Sequence, residues 1–211
     1  MVLFYLLKIS FTSIFYIPEY RIRVMQLSAQ DVVIALKLAA NSSVNWTYAE
    51  LGEELSLSAS QVFAAVNRAR ASHLLEASHM APPPSGRRGR DSVLASAWLN
   101  QKNLKEFLVH GVKYVFPVYH GQLTRGMPTS YAASPLKQHI VPSSDPPPVW
   151  PSADGKVRGV EFSPLYKNVP AAAQRDPKLY ELLALVDAIR DGRTRERELA
   201  IRELTIRIEP R

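Results

Sequence analysis

Between Ser58 and Arg68 the chain carries a run of short hydrogen-bonding side chains, Ser58, Ser60, Gln61, Asn67 and Arg68, with the small Ala64 among them. Serine hydroxyls reach phosphate oxygens, glutamine and asparagine amides match the edge of adenine, and an arginine guanidinium matches guanine or a phosphate. Such groups read a duplex only when a rigid element projects them together, away from the apolar side chains that hold that element in place.

The positioning elements are written around them. Trp46 to Leu75, WTYAELGEELSLSASQVFAAVNRARASHLL, contains two helix starts. Thr47 with Glu50 three residues on is a capping box, flanked by Trp46 and Leu51 as a hydrophobic staple; Ser58, Gln61, Leu57 and Val62 repeat the pattern. Caps of this kind contribute about 1 kcal/mol each. They predict a helix over Tyr48 to Leu55, a turn at Ser56 to Ser58 and a second helix from Ala59 to Ala71. Leu51, Leu55, Leu57, Val62, Ala65, Val66 and Ala69 supply a shared core. Gly52, unfavourable inside a helix, marks a crossing point where the second helix must approach closely. An earlier helix is predicted from the Ser28 cap with Asp31, and Ile34 and Leu38 lie off its Val32, Val33, Leu36, Ala40 stripe, so more than one of its faces should be buried. Three helices in this order support a helix-turn-helix, and the alternative is a bundle of short helices with no ligand.

Composition sets outer bounds. The 211 residues include no cysteine, which excludes disulfides, thiol nucleophiles and cysteine metal sites. The formal charge of +7 suits a polyanionic partner. It is uneven: residues 25–80 carry three Lys/Arg against five Asp/Glu, and residues 82–116 carry six against two. The helix pair by itself would neutralise little phosphate, so the following segment and a second subunit are expected to help.

That segment, APPPSGRRGR at 81–90, is neither helix interior nor central strand. In a winged helix a hairpin follows the second helix, and Arg87, Arg88 and Arg90 are placed in sequence to touch the DNA backbone there; a solvated basic linker is the alternative. Asn103 with Glu106 predicts a further helix that weakens or stops near Gly111. Residues 117–175 read as turn-rich, with Tyr131, Trp150, Phe162 and Tyr166 stapling an extended chain to the helical body, and with Asp154-Gly155 as the turn of a small hairpin that is bulged near Gly159 or absent. Asp176-Pro177 starts a strong helix, and Thr194 reopens another with Leu204 and Ile208 on an apolar stripe. Residues 176–211 hold eight basic and eight acidic side chains, so this pair suits self-association or partner binding more than DNA.

The expected fold is therefore mainly α with a small β component: a winged helix-turn-helix domain over 25–116, a proline-rich region over 117–175 and a C-terminal helical pair over 176–211. Residues 1–24 are apolar and aromatic but interrupted by Lys8, Ser10, Thr12 and Ser13, which argues against a membrane span. Either Met25 is the functional start, or the segment is an arm that packs on the domain or on a partner; a membrane or targeting role is the third alternative. Catalysis is not expected. No HExxH, Walker A, GxSxG or Cys/His cluster occurs, and Asp176, Glu181 and Asp187, or His120 with Asp145, are the remaining candidates. Asp187 and Asp191 share a helix face that a surface or a C-terminal turn accounts for. No cofactor or metal is expected, His110 and His120 lacking acidic partners at metal-site spacing.

LSAQDVVIALKLA followed by WTYAELGEELSLSASQVFAAVNRARASHLL resembles the winged helix-turn-helix of bacterial MarR-like transcriptional regulators. The remainder, with EFLVHGVKYVFP, LTRGMP and DPKLYELLALVDAIRDG, is similar to bacterial DNA-binding proteins that share this domain and a downstream region, some of which occur beside nucleotidyltransferase-like toxin genes. The resemblance implies a cytoplasmic, homodimeric regulator that binds double-stranded DNA. An antitoxin that neutralises a protein partner through its C-terminal half is the other role it implies. Ser58, Ser60, Gln61, Ala64, Asn67 and Arg68 correspond to the DNA-facing part of the second helix. The chain departs from the family in its proline-rich wing and in lacking the long helices that flank the MarR domain.

Overall fold

Ser28 starts α1 (Ala29–Ala40), its N–H donating to Asp31 Oδ2 at 2.8 Å and its hydroxyl to Asp31 Oδ1 at 3.0 Å. In this computed structural model, which describes residues 26–76, 93–95, 99–140 and 144–209, Val32 to Leu36 and Leu38 are all buried, so α1 is surrounded rather than laid on a surface. β1 (Asn45–Thr47), α2 (Tyr48–Leu55) and α3 (Ala59–Ala71) follow with the boundaries that the two capping boxes predict. β2 (Val93–Ala95) runs antiparallel to β1, with Trp46 opposite Leu94, and an isolated bridge joins Leu75 to Leu99. The N-terminal segment 1–24 and the loop with Arg87, Arg88 and Arg90 lie outside the described residues.

The second half supplies the centre of the molecule. α7 (Pro177–Asp191) buries Leu179, Leu182, Leu183, Leu185, Val186, Ala188 and Ile189, and α1, α5 (Val112–Val115), α6 (Val169–Arg175) and α8 (Thr194–Ile208) pack against it. One apolar core runs from Val32 to Ile208. The fold is mainly helical with a small β component, and no helix among the described residues is long and apolar enough to cross a membrane.

Several local expectations are corrected. α8 does carry an apolar stripe, Ala200, Leu204 and Ile208, but the stripe is buried within the chain against α7, with α1 and α4 (Gln101–Glu106) nearby. It is therefore not a free face for self-association. The cap of α4 is Asn100, whose side chain accepts from the Asn103 N–H at 3.0 Å. Asn103 instead donates its amide to the carbonyl of His73 at 2.9 Å, tying the end of α3 to the start of α4. At Gly111 the helix does not stop. It widens into a π-helical stretch, Phe107–Gly111, and the Phe107 ring occupies the space beside the glycine before α5 continues.

The turn-rich region holds a strand that its sequence does not advertise. β3 (His120–Pro128) pairs antiparallel with both β4 (Pro148–Pro151) and β5 (Val157–Phe162), while β4 and β5 are parallel to each other. A β4–β5 hairpin turning at Asp154-Gly155 is thus absent, because both strands line up along β3 in the same direction and meet at Gly126, opposite Pro151 and Val157. Gly126 must be glycine there, since a Cβ would overlap the carbonyl of Trp150, and a Cβ on Gly155 would in turn overlap the Gly126 backbone. Trp150 and Phe162 are buried in the common core, as staples for this segment should be.

Candidate nucleic-acid interface

Two reciprocal caps hold α2 and α3 at a fixed turn. Thr47 Oγ1 accepts from the Glu50 N–H at 3.2 Å while the Thr47 N–H donates to Glu50 Oε2 at 2.8 Å. These bonds from the Thr47 backbone N–H and hydroxyl lower the Glu50 pKa. In α3 the Ser58 N–H donates to Gln61 Oε1 at 2.8 Å, and Ser58 Oγ accepts from the Gln61 N–H at 3.2 Å. Between the helices Ser56 takes the left-handed conformation, φ 54°, and the Leu57 N–H donates to the Gly52 carbonyl at 2.7 Å. Gly52 owes its place to this turn, since a Cβ there would stand 2.6 Å from the Leu57 carbonyl oxygen. α6 then fastens the turn from outside: Arg175 donates to the carbonyls of Glu53 and Glu54 at 2.7 and 3.2 Å, and Asn168 to that of Ser56 at 2.7 Å.

α3 turns Val62, Ala65, Val66 and Ala69 inward and leaves Ser58, Ser60, Gln61, Phe63 and Ala64 exposed, with Asn67 half-buried. The proposed reading face is therefore open rather than covered by the proline-rich half. Gln61 is partly committed, because its amide oxygen serves the cap and only the amide nitrogen is spare for a ligand. The residue that sequence reasoning missed is Phe63. It is 49% exposed, edge-on to Tyr48 at 5.8 Å, and stands four residues before Asn67 on the outer face. The available signal was its position off the core stripe, where a large apolar side chain is out of place.

Arg68 does not join that face. Its guanidinium lies on Asp31 of α1, with Nη2 to Oδ1 at 2.7 Å and Nε to Oδ2 at 2.9 Å, and Nη2 also reaches Ser28 Oγ at 3.2 Å. Asp31 is 0% exposed, so this two-pronged bond is what allows a carboxylate to be buried at the start of α1. Hydrogen bonding to Asp31 raises the Arg68 pKa further. Lys37 is withdrawn in the same way: at 3% exposure it bridges Glu54 at 2.9 Å and Asp176 at 2.8 Å. Burial alone would raise the Asp176 carboxyl, but bonds from Lys37, Asn41 and the Leu179 N–H outweigh it and leave the pKa lowered. With Arg68 turned inward, the exposed residues of α3 between Ser58 and Asn67 carry no formal charge.

The carboxylate and imidazole candidates are distributed otherwise. His120 is paired not with Asp145 but with Asp191, Nε2 to Oδ2 at 2.8 Å. Asp187 is buried, whereas Asp191 at the end of the same helix is exposed. Among the described residues no group of three or more His, Asp or Glu is arranged to hold a metal ion. No family model, no curated protein and no solved structure matches the chain.

Proposed function

We propose that the chain binds double-stranded DNA by laying the outer face of α3 in the major groove, as a winged helix-turn-helix transcriptional regulator of the MarR-like kind. The observation that carries this reading is the open, doubly capped α2–turn–α3 unit with small polar side chains outward. The order helix, strand, helix, helix, strand, with β1 antiparallel to β2, supports it. In a winged helix the connection between the second helix and the returning strand is the wing, and here that connection contains Arg87, Arg88 and Arg90.

Asn67 is the adenine-reading candidate, Phe63 suits a thymine methyl, and Ser58 and Ser60 suit phosphates. Since Arg68 is held by Asp31 and the exposed residues from Ser58 to Ala64 carry no charge, affinity rests largely on the loop arginines and on a homodimer that doubles the bonds to the duplex. Selection of bound fragments from random and genomic duplexes tests the reading. The expected product is a two-fold symmetric site with half-sites about 10 base pairs, or a multiple, apart. Asn67→Ala should cost about 1–3 kcal/mol of discrimination at one position and shift unfolding by no more than about 0.5 kcal/mol. Equal weakening on every sequence would remove Asn67 from base reading. Replacing Arg87, Arg88 and Arg90 with alanine should weaken all sequences alike and lower the slope of log affinity against log salt by about 0.9 for each phosphate that is no longer neutralised. An unaltered slope would strike out the wing.

A second reading takes a protein as the ligand, as an antitoxin would. Phe63 favours it, because an exposed aromatic among uncharged residues of the same helix is also what the centre of a protein interface looks like. Failure to retain any duplex at low salt would transfer the face to this role.

A further inference from the structure

Away from α3, the start of β3, the end of β5 and the junction of α7 with α8 line an open cavity of about 190 Å³. Its walls bring together Tyr131, Phe162 and His120 as rings, Asp191 and Glu196 as carboxylates, and Ser130 as a hydroxyl. The His120 ring stands edge-on to Phe162 at 5.4 Å and is oriented by its 2.8 Å bond to Asp191. Glu196 is held by the Arg193 N–H at 3.0 Å, which leaves the remainder of its carboxylate available. Burial first, and then the charges of Glu196 and Asp145 against that of Arg193, push the Tyr131 pKa up, so this ring sits in a net negative field. Ser130 is 3% exposed, and its hydroxyl makes no hydrogen bond to another described residue. Its oxygen is not among the enclosed polar atoms left without a partner, and Ser130 lines the cavity, so the hydroxyl is open to a ligand or water there.

The chemistry of the walls selects the occupant. Two carboxylates repel an anion, and a neutral apolar molecule would strip water from them without replacing its bonds. A cation with small alkyl groups meets both needs, since carboxylates balance its charge and ring faces attract it. The volume lies below the usual range for ligand pockets, about 300–1,000 Å³, so the occupant is smaller than a drug-sized ligand. We propose that this cavity binds a small alkylammonium ion, with Asp191 and Glu196 balancing its charge, Tyr131, Phe162 and His120 packing its alkyl groups, and the Ser130 hydroxyl bonding its polar end. The site stands apart from the DNA-binding reading and survives its failure.

Choline and its neutral isostere 3,3-dimethylbutan-1-ol, titrated into the full chain and followed by amide and histidine-ring NMR shifts, separate charge from shape. Choline should give saturable shifts at Ser130, Tyr131, Gly192, Glu196 and His120, and the isostere should bind about tenfold more weakly or worse. Asp191→Asn with Glu196→Gln should weaken choline about tenfold, and Ser130→Ala should weaken it about threefold, the unfolding transition serving as a check that each variant is folded. No saturable shift up to about 50 mM, well past the millimolar range of weak binding, overturns the proposal. Equal binding of the isostere overturns it as well, and that comparison needs no variant.

Discussion

Replacing Arg190 with methionine should lower the free energy of unfolding at neutral pH by about 3–5 kcal/mol. Arg190 and Asp187 are both almost wholly buried, 2% and 1% exposed at their side chains, and meet at 2.7 Å. The same carboxylate accepts from Trp150 Nε1 at 2.7 Å and Thr129 Oγ1 at 2.8 Å, while Arg190 also donates to the carbonyls of Phe116 and Pro117 at 2.8 and 3.2 Å. One ion pair on α7 therefore fixes the end of β3, the strand β4 and the chain entering β3. Methionine fills the space of the arginine stem but leaves an anion in the core without its cation. Removal from water already pushes the Asp187 carboxyl upward against Arg190 and its hydrogen-bond donors, and loss of Arg190 should push it further. The sign follows from linkage. With the folded pKa above the unfolded one, the neutral acid is favoured in the folded state. The variant should therefore be least destabilised below about pH 4, near the unfolded carboxylate value, and lose stability as pH rises through the raised folded pKa. Urea unfolding of both proteins across pH 4 to 8 reads this directly. A pH-independent loss under about 1 kcal/mol would mean that water reaches the carboxylate.

Arg68→Ala should cost about 2–4 kcal/mol, the lower end reflecting that the arginine side chain is 25% exposed. It leaves Asp31 buried with only Ser28 for company, and the first turn of α1 loses its tie to α3. Arg68→Lys should restore part of the loss, because one ammonium cannot reproduce a two-pronged guanidinium bond. Asn67 next to it should behave in the opposite way, altering duplex recognition and not stability. Calorimetric unfolding of the three variants checks the contrast. A stable Arg68→Ala protein that no longer retains DNA would return Arg68 to the groove.

The bounds of α2 and α3 and the turn between them were readable in the sequence to the residue because their signals are short-range. Thr47 with Glu50, and Ser58 with Gln61, act over three positions, and the bonds they predict are those that form. Gly52 announced a close approach, but what approaches is the Leu57 carbonyl of the turn rather than the body of α3. β3 was not readable. HGQLTRGMP shows no apolar alternation, its pairing shifts register between His120 and Leu123, and its partners lie more than twenty residues away. Phe63 was visible as a letter, but its exposure followed only from the angle at which α3 sits on α1 and α2.

What the sequence determined by itself was the position and type of the helices near the N-terminal end, since capping and apolar periodicity are settled within a few residues of one another. What only tertiary structure decided was partnership. Arg68 chose Asp31 rather than a free surface, Lys37 chose Glu54 and Asp176, Asp187 chose Arg190 with Thr129 and Trp150, and the α8 stripe chose α7 rather than a second copy. A charged or apolar side chain carries the same letter whether it ends in water, in an ion pair or in a core. The free energy that separates these outcomes comes from desolvation and from groups far along the chain, and the letter does not contain it.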